Sequence, residues 1–543
     1  MSNDSVCSTC STPLVFKSGV SKKTGRPYGM WTCPNWYTHR NKPNTNRPSK
    51  RNAVKNVDFS SVVLTAEQSA VVQGIHDIMD DDNMVGLSVS ARAGTGKSTT
   101  IFYAIKELYK EHKDKNILYT AFSRKQAEEA LTRMMFGTSG TIHSTLGWKA
   151  IKATYPNTVM STDKYKNKWI RLCERLVPKD NDPDEERSLQ HVRRTLMKLT
   201  EKVMFSLADP HDHDILDEIG TRYGIDYKEV REQVFNLVPS LMSISLQTLD
   251  EEVYFPDMVA APVFVPDVTI NMPFYDVLFL DEAQDTDPAQ QQLVLISIGI
   301  ITDTLKSVQE TISPKLGISD GEVVDFTDEP MGKLVFIGDP YQSIYGFRGA
   351  IYEGMDNLVG MLQDFGDVAE YSITKTRRSA RAIVEHAQKI IPDIQSMPGA
   401  PEGIVEVISM DDFIEEFAES GLSDDVMVLA RVTASLVSPA LKLVKRGMPV
   451  KVAGNVMASQ LIWRVKRINR SIVGDSDKNA DIKSIRAAIL VETKKITDKM
   501  AEATSSQRRK LQMTVDELDV LMVLTEECVY LHDIIHNINT LRS

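Results

Sequence analysis

Apolar residues along this chain follow two rhythms. Short unbroken runs, GLSVSA (86–91), NILYTAF (116–122), DVLFLD (276–281) and KLVFIGD (333–339), each lead into a turn and then a helical period. Runs apolar on both faces predict buried parallel strands with helical crossovers. GIVEVISM (403–410), DVMVLA (425–430) and MPVKVAG (448–454) repeat the pattern farther along. From about 150 to 250 the spacing is helical, over a stretch too long for a loop in a compact domain, which predicts a helical insertion. Residues 456–543 also read as helical and charged, and 41–57 (NKPNTNRPSKRNAVKNV) as a linker. The fold class expected is α/β, with parallel sheets carrying helical insertions. The longest apolar run, Leu293 to Ile301, has nine residues, whereas a membrane-spanning helix needs ~20, so no membrane partner is expected.

Composition sharpens this picture. Apolar residues make up 42% of 543 and charged residues 25%, which excludes a mostly disordered chain. The net charge of −11 is uneven. Residues 1–55 hold ten Lys and Arg against a single acid, Asp4, and are +9, leaving −20 on the rest. A basic arm on an acidic body suits a polyanionic partner. Five cysteines cannot build a disulfide framework, and Cys7, Cys10 and Cys33 crowd near the start. Cys7-x2-Cys10, then Cys33 and His39, form a Cys₃His set suited to tetrahedral Zn²⁺. Tyr28, Trp31, Trp36 and Tyr37 stand among basic residues there, a content that suits single-strand binding. Cys173 and Cys528 read as buried apolar residues.

The sharpest chemical signal is Ala91-Arg92-Ala93-Gly94-Thr95-Gly96-Lys97-Ser98, between a strand and a helical run. Only its first position departs from the Walker pattern, with Ala91 in place of glycine. Glycines let the backbone N–H groups of Ala93 to Thr99 wrap a phosphate at a helix N-terminus. Lys97 would reach the β- and γ-phosphates of ATP, and the Ser98 hydroxyl would ligate Mg²⁺. Asp281-Glu282, after DVLFL, supplies the second half of such a site: Asp281 to hold Mg²⁺, Glu282 to orient and deprotonate water.

Further segments resemble the UvrD/Rep-like branch of superfamily 1 DNA helicases, over about residues 60–455. They are the block Asp281-Glu282-Ala283-Gln284-Asp285, Thr65-Ala66-Glu67-Gln68, Thr120 to Ala127, Thr141-Ile142-His143-Ser144, Phe255-Pro256-Asp257-Met258 and Gly338 to Ala350. The resemblance implies P-loop, RecA-like lobes. It also implies adenine recognition by Gln68, γ-phosphate sensing by Gln342, and DNA contacts by Phe122, His143, Tyr345 and Phe347. Thr376-Arg377-Arg378-Ser379 stands where the family has Asn-Tyr-Arg-Ser, which makes Arg378 the γ-phosphate arginine and puts Arg377 in place of an adenine-stacking tyrosine. Arg431 is similar to an arginine that follows a later strand. The tract around Cys33 resembles topoisomerase zinc ribbons, where a fourth Cys is common and His39 stands here.

Neither a Thr-x-His-x-x-Lys-Gly stretch nor the family's last arginine motif follows Gly454. The expected organisation is a zinc-ribbon-like module at 1–40, the linker at 41–57 and a first RecA-like domain at 58–350. A partial second RecA-like domain at 351–455 and a helical insertion or C-terminal region at 456–543 complete it. The expected function is an ATP-dependent helicase or translocase on single-stranded or partly duplex DNA, 3′ to 5′ by resemblance, in the cytoplasm or wherever the host's DNA lies. A truncated or split product, completed by a second polypeptide supplying the two missing motifs, fits the same sequence. The alternative is a non-motor ATP- and DNA-binding subunit that regulates another replication or repair protein.

Overall fold

The structure, a computed structural model, describes residues 63–121, 139–161, 167–319, 331–343, 354–420, 456–474, 479–500, 505–525 and 530–540, with some shorter stretches. Among the shorter stretches, 15–20 and 27–32 pair as an antiparallel hairpin. The described residues fall into two compact units, Met1–Gly403 and Ile404–Ser543.

The first unit is built on six parallel strands: β1 (Met84–Ala91), β2 (Ile117–Ala121), β3 (Ser139–Ile142), β4 (Val277–Asp281), β5 (Lys333–Gly338) and β6 (Asp367–Ile373). Their spatial order is β6-β1-β5-β4-β2-β3. The four apolar runs that ended in turns are β1, β2, β4 and β5, buried along nearly their whole length as a sheet covered on both faces requires. On one face lie α1 (Ala66–Asp80) and α2 (Lys97–Glu111), whose Val71, Ile75, Ile101 and Ile105 pack on Leu87, Val89 and Phe279. Leu293, Val294, Leu358 and Leu362 cover the other face, from helices at Pro288–Ile296 and Gly354–Gln363.

Between β3 and β4 the chain forms α3 (His143–Thr154), α4 (Lys168–Leu176), α5 (Pro183–Ser206), α6 (His213–Arg222), α7 (Arg231–Gln247) and α8 (Phe255–Phe264). They share a core of Trp169, Leu196, Phe235, Leu241 and Phe264. Asp257, at the start of α8, is fully buried. It accepts from Lys168 Nζ at 3.2 Å, Ser245 Oγ at 2.6 Å and the Tyr254 N–H at 2.8 Å. The Phe-Pro-Asp-Met segment therefore has a folding role: a buried carboxylate with four donors, the Trp169 Nε1–H at 3.3 Å being the fourth, binds α4, α7 and α8 together, and removing one partner would strand a charge. Cys173 is buried here, and burial pushes its thiol up to about 12, consistent with an inert apolar role.

The helix Pro288–Ile296, α9, begins at Asp287, whose Oδ1 accepts from the Gln290 N–H at 2.8 Å. Burial raises this carboxyl to about 7. Unfolded, it loses its proton near pH ~4. The folded chain therefore holds the extra proton between ~4 and 7, and this group's stabilising contribution, complete at low pH, is lost as pH rises through that window. Asp287→Asn keeps the cap acceptor without the charge. Urea midpoints should show the variant gaining on the native chain from pH 5 to pH 8, by on the order of a few kcal/mol. Parallel pH profiles would refute the assignment.

The second unit is helical: α11 (Val456–Val473), α12 (Ile482–Met500), α13 (Ser505–Leu524) and α14 (Leu531–Thr540) enclose Leu461, Val465, Ile485, Leu518 and Ile534, with α10 (Gly354–Gln363) belonging to the first unit. Among its described residues there is no strand. The expected strands at 403–410 and 425–430 differ from the structure: 404–409 and 426–430 lie outside any strand, with Val407 97% and Leu429 82% exposed. A strand needs a neighbour to take its N–H and C=O groups, and no partner strand stands among the described residues of this unit. Residues 448–449 and 451–454 lie outside the described residues. No described helix is long and apolar enough to cross a membrane.

Candidate active site

The sheet order puts the carboxyl ends of β1, β5 and β4 side by side, where open parallel sheets hold their ligands. From β1 the chain turns through Arg92–Gly96 into α2. Gly94 and Gly96 sit at φ +73° and +89°, in the left-handed region that favours glycine. Space demands glycine as well: a Cβ on Gly94 would lie 2.5 Å from the Arg378 Cβ, and one on Gly96 2.8 Å from the Gln68 amide nitrogen. Gln68 is buried, its Oε1 accepting from the Thr65 N–H at 2.9 Å and its Nε2 donating to the Thr95 carbonyl at 3.0 Å. It thus completes the cap of α1 and braces the loop at once.

At the start of α2, Lys97 Nζ lies 2.9 Å from Glu282 Oε2. Ser98 Oγ faces Asp281 Oδ2 at 3.4 Å, and the Tyr119 hydroxyl donates to that same oxygen at 2.6 Å. Burial, with Glu282 adjacent, raises the Asp281 carboxyl to about 6. A hydroxyl and a carboxylate that gains from a nearby cation suit Mg²⁺, which takes one or two protein oxygens and completes its shell with water and phosphate. Among the described residues no group of three or more His, Cys, Asp or Glu could hold a metal by itself. Glu282 has φ +54°, one of two non-glycine residues with positive φ among those described. Backbone strain of this kind costs ~1–3 kcal/mol and gathers at functional sites.

The acidic pair connects onward. Gln284 Nε2 donates to Glu282 Oε2 at 2.9 Å, while Gln284 Oε1 accepts from the Asp339 N–H at 3.0 Å. Asp339 Oδ2 accepts from Gln342 Nε2 at 2.6 Å. On the other side, Arg377 donates its backbone N–H to the Gly94 carbonyl at 3.0 Å and its guanidinium to the Val63 carbonyl at 2.7 Å. Arg378, exposed, stands next to Gly94.

The structure therefore gathers Gln68, Lys97, Ser98, Asp281, Glu282, Gln342 and Arg378 around one loop. His143 is the first residue of α3, but its side chain lies outside the described residues, as do Phe122, Tyr345, Phe347, Arg431, Cys7, Cys10, Cys33 and His39. Tyr119, Gln284 and Arg92 were missed by the sequence reading. Gln284 lies inside the acidic block and could have been suspected; nothing in a buried strand marks Tyr119.

Residues 76–177 match the AAA domain family, and residues 271–363 match the UvrD/REP helicase N-terminal domain. No curated protein matches the chain. The first match spans the phosphate loop and the second spans Asp281, Glu282, Asp339 and Gln342. These matches and this geometry support a UvrD/Rep-like helicase, a P-loop enzyme of the DNA-dependent ATPase and helicase class.

Proposed function

We propose that the chain hydrolyses ATP at this loop and couples the cycle to 3′ to 5′ movement along single-stranded DNA. The observation that carries the reading is Lys97 and Ser98 facing Glu282 and Asp281 across the ends of neighbouring strands. Lys97 leaves Glu282 for the β- and γ-phosphates, and the freed carboxylate orients the attacking water. Ser98 and Asp281 would hold Mg²⁺, which when bound would supply charge neutralisation at the phosphates. Gln342 and Arg378 address the γ-phosphate and Gln68 the adenine edge, roles that rest on the family resemblance. Phe122, His143, Tyr345 and Phe347 form the DNA track, since base stacking on aromatics is worth ~1–3 kcal/mol per base and tolerates any sequence. Cys7, Cys10, Cys33 and His39 hold Zn²⁺ in a DNA-contacting module. The purified chain should release phosphate from ATP faster when poly-dT is added, and should carry one equivalent of zinc. A rate indifferent to poly-dT sinks the motor reading, and zinc-free protein the module.

The exposed apolar segments at 404–409 and 426–430 favour a second reading. On it, a second polypeptide completes the motor by covering them and supplying the remaining arginine, an element worth roughly 10³–10⁵ in rate in related NTPases. Chain that binds ATP and DNA but turns over only when such a partner is added would favour this reading over the first.

A further inference from the structure

Arg92, the second residue of the phosphate loop, is used by none of the chemistry above, yet it is among the most heavily bonded side chains at the site. It is 8% exposed. Its Nε and Nη2 donate to the two oxygens of Asp393 at 2.8 and 2.6 Å, a bidentate pair between residues 301 apart in sequence. Nη1 donates to Asp339 Oδ1 at 3.2 Å and to Ser90 Oγ at 3.1 Å. The guanidinium carbon stands 4.9 Å from the centre of the Tyr341 ring, in cation–π geometry. The Arg92 N–H donates to the Ile373 carbonyl at the end of β6. One residue therefore fastens the ends of β1, β5 and β6.

Asp339 is where two hydrogen-bond paths meet. Its N–H reaches Gln284, then Glu282, then Lys97, the group that contacts nucleotide in the reading above. Its carboxylate is shared by Arg92 and Gln342, and the Tyr341 N–H donates to the same Oδ1 at 3.2 Å. From Gln342 the chain runs directly into Ser343-Ile344-Tyr345-Gly346-Phe347, which carries two of the proposed base-stacking aromatics. When Lys97 exchanges Glu282 for phosphate, Gln284 loses a fixed acceptor and the Asp339 turn can respond. A turn held only by Gln284 would relax in place. A turn also clamped to Asp393 by a planar fork has to move as a piece.

We propose that Arg92 is a positioning residue that transmits nucleotide occupancy to the DNA-contacting segment after β5, using Asp393 as its anchor and Asp339 as its lever. This deepens the nucleotide-site reading and rests on it. Coupling between sites is a reciprocal change in affinity, which makes it measurable without turnover.

The test uses the full chain and fluorescent oligo-dT, titrated with and without a saturating non-hydrolysable ATP analogue. The ratio of the two DNA affinities is the coupling factor. Native chain should show a factor of fivefold or more, and Arg92→Met and Asp393→Asn should bring it below twofold. Arg92→Lys should restore little, because an ammonium cannot serve two carboxylates as a planar fork does. Thermal midpoints and analogue affinity are recorded for each variant. Variants that melt earlier yet keep the native factor would show a merely structural role and overturn the proposal. Variants that lose analogue binding more than tenfold would make Arg92 part of the pocket, and overturn it too. Native chain that binds the analogue with no change in DNA affinity defeats the coupling alone. Native chain that binds no analogue defeats the nucleotide-site reading and the coupling together.

Discussion

Lys97→Ala should lower the DNA-stimulated rate of ATP hydrolysis roughly 10²–10³-fold, the usual loss when one preorganised charge-stabilising donor leaves an active site. Lys97 is 11% exposed and its partner Glu282 24%, so the pair is only partly screened by water. In the structure the ammonium and carboxylate satisfy each other. In the proposed reading the same ammonium would face the β- and γ-phosphates, and alanine replaces it with nothing. Oligo-dT binding should persist in the variant, which separates lost chemistry from lost folding. A variant within threefold of the native rate would remove the phosphate role assigned to this lysine.

Gly147→Ala should have the largest effect on stability. Gly147 lies in α3 where that helix crosses α8, and a Cβ there would stand 1.7 Å from the Met258 carbonyl oxygen and 3.1 Å from the Pro262 ring. Pro262 explains the close approach. It has no N–H to give the carbonyl four residues before it, so that oxygen is left facing α3. The obstacle is backbone on both sides, so rotamer changes cannot relieve it. The two helices must separate, opening the core around Val259, Val263 and Phe264. We expect a loss of ~3 kcal/mol or more in the urea-unfolding free energy of the first unit, at the upper end of overpacking effects. A midpoint unchanged from the native chain would mean that α3 and α8 are not in this contact.

Several features were legible because the physics behind them is local. A strand buried on both faces has to be apolar throughout, so β1, β2, β4 and β5 stand out as runs. Phosphate binding needs consecutive backbone N–H groups and left-handed glycines, which confines Gly94, Gly96, Lys97 and Ser98 to one short string. The same local logic misled at 403–410. Its β-branched apolar residues satisfy the pattern of a strand, but strand formation also depends on a neighbour that the pattern does not specify.

By itself, then, the amino-acid order marked four of the six sheet strands, the glycine turn that joins β1 to α2, and the acids at the end of β4. Tertiary structure alone decided that β5 lies between β1 and β4, that Tyr119 holds Asp281, and that Arg92 reaches Asp339 and Asp393. The reason is the range of the interactions. Backbone conformation and burial are set within a few residues of the chain. Ion pairs and strand order join groups separated by up to 301 positions, and they exist only once the sheet has formed.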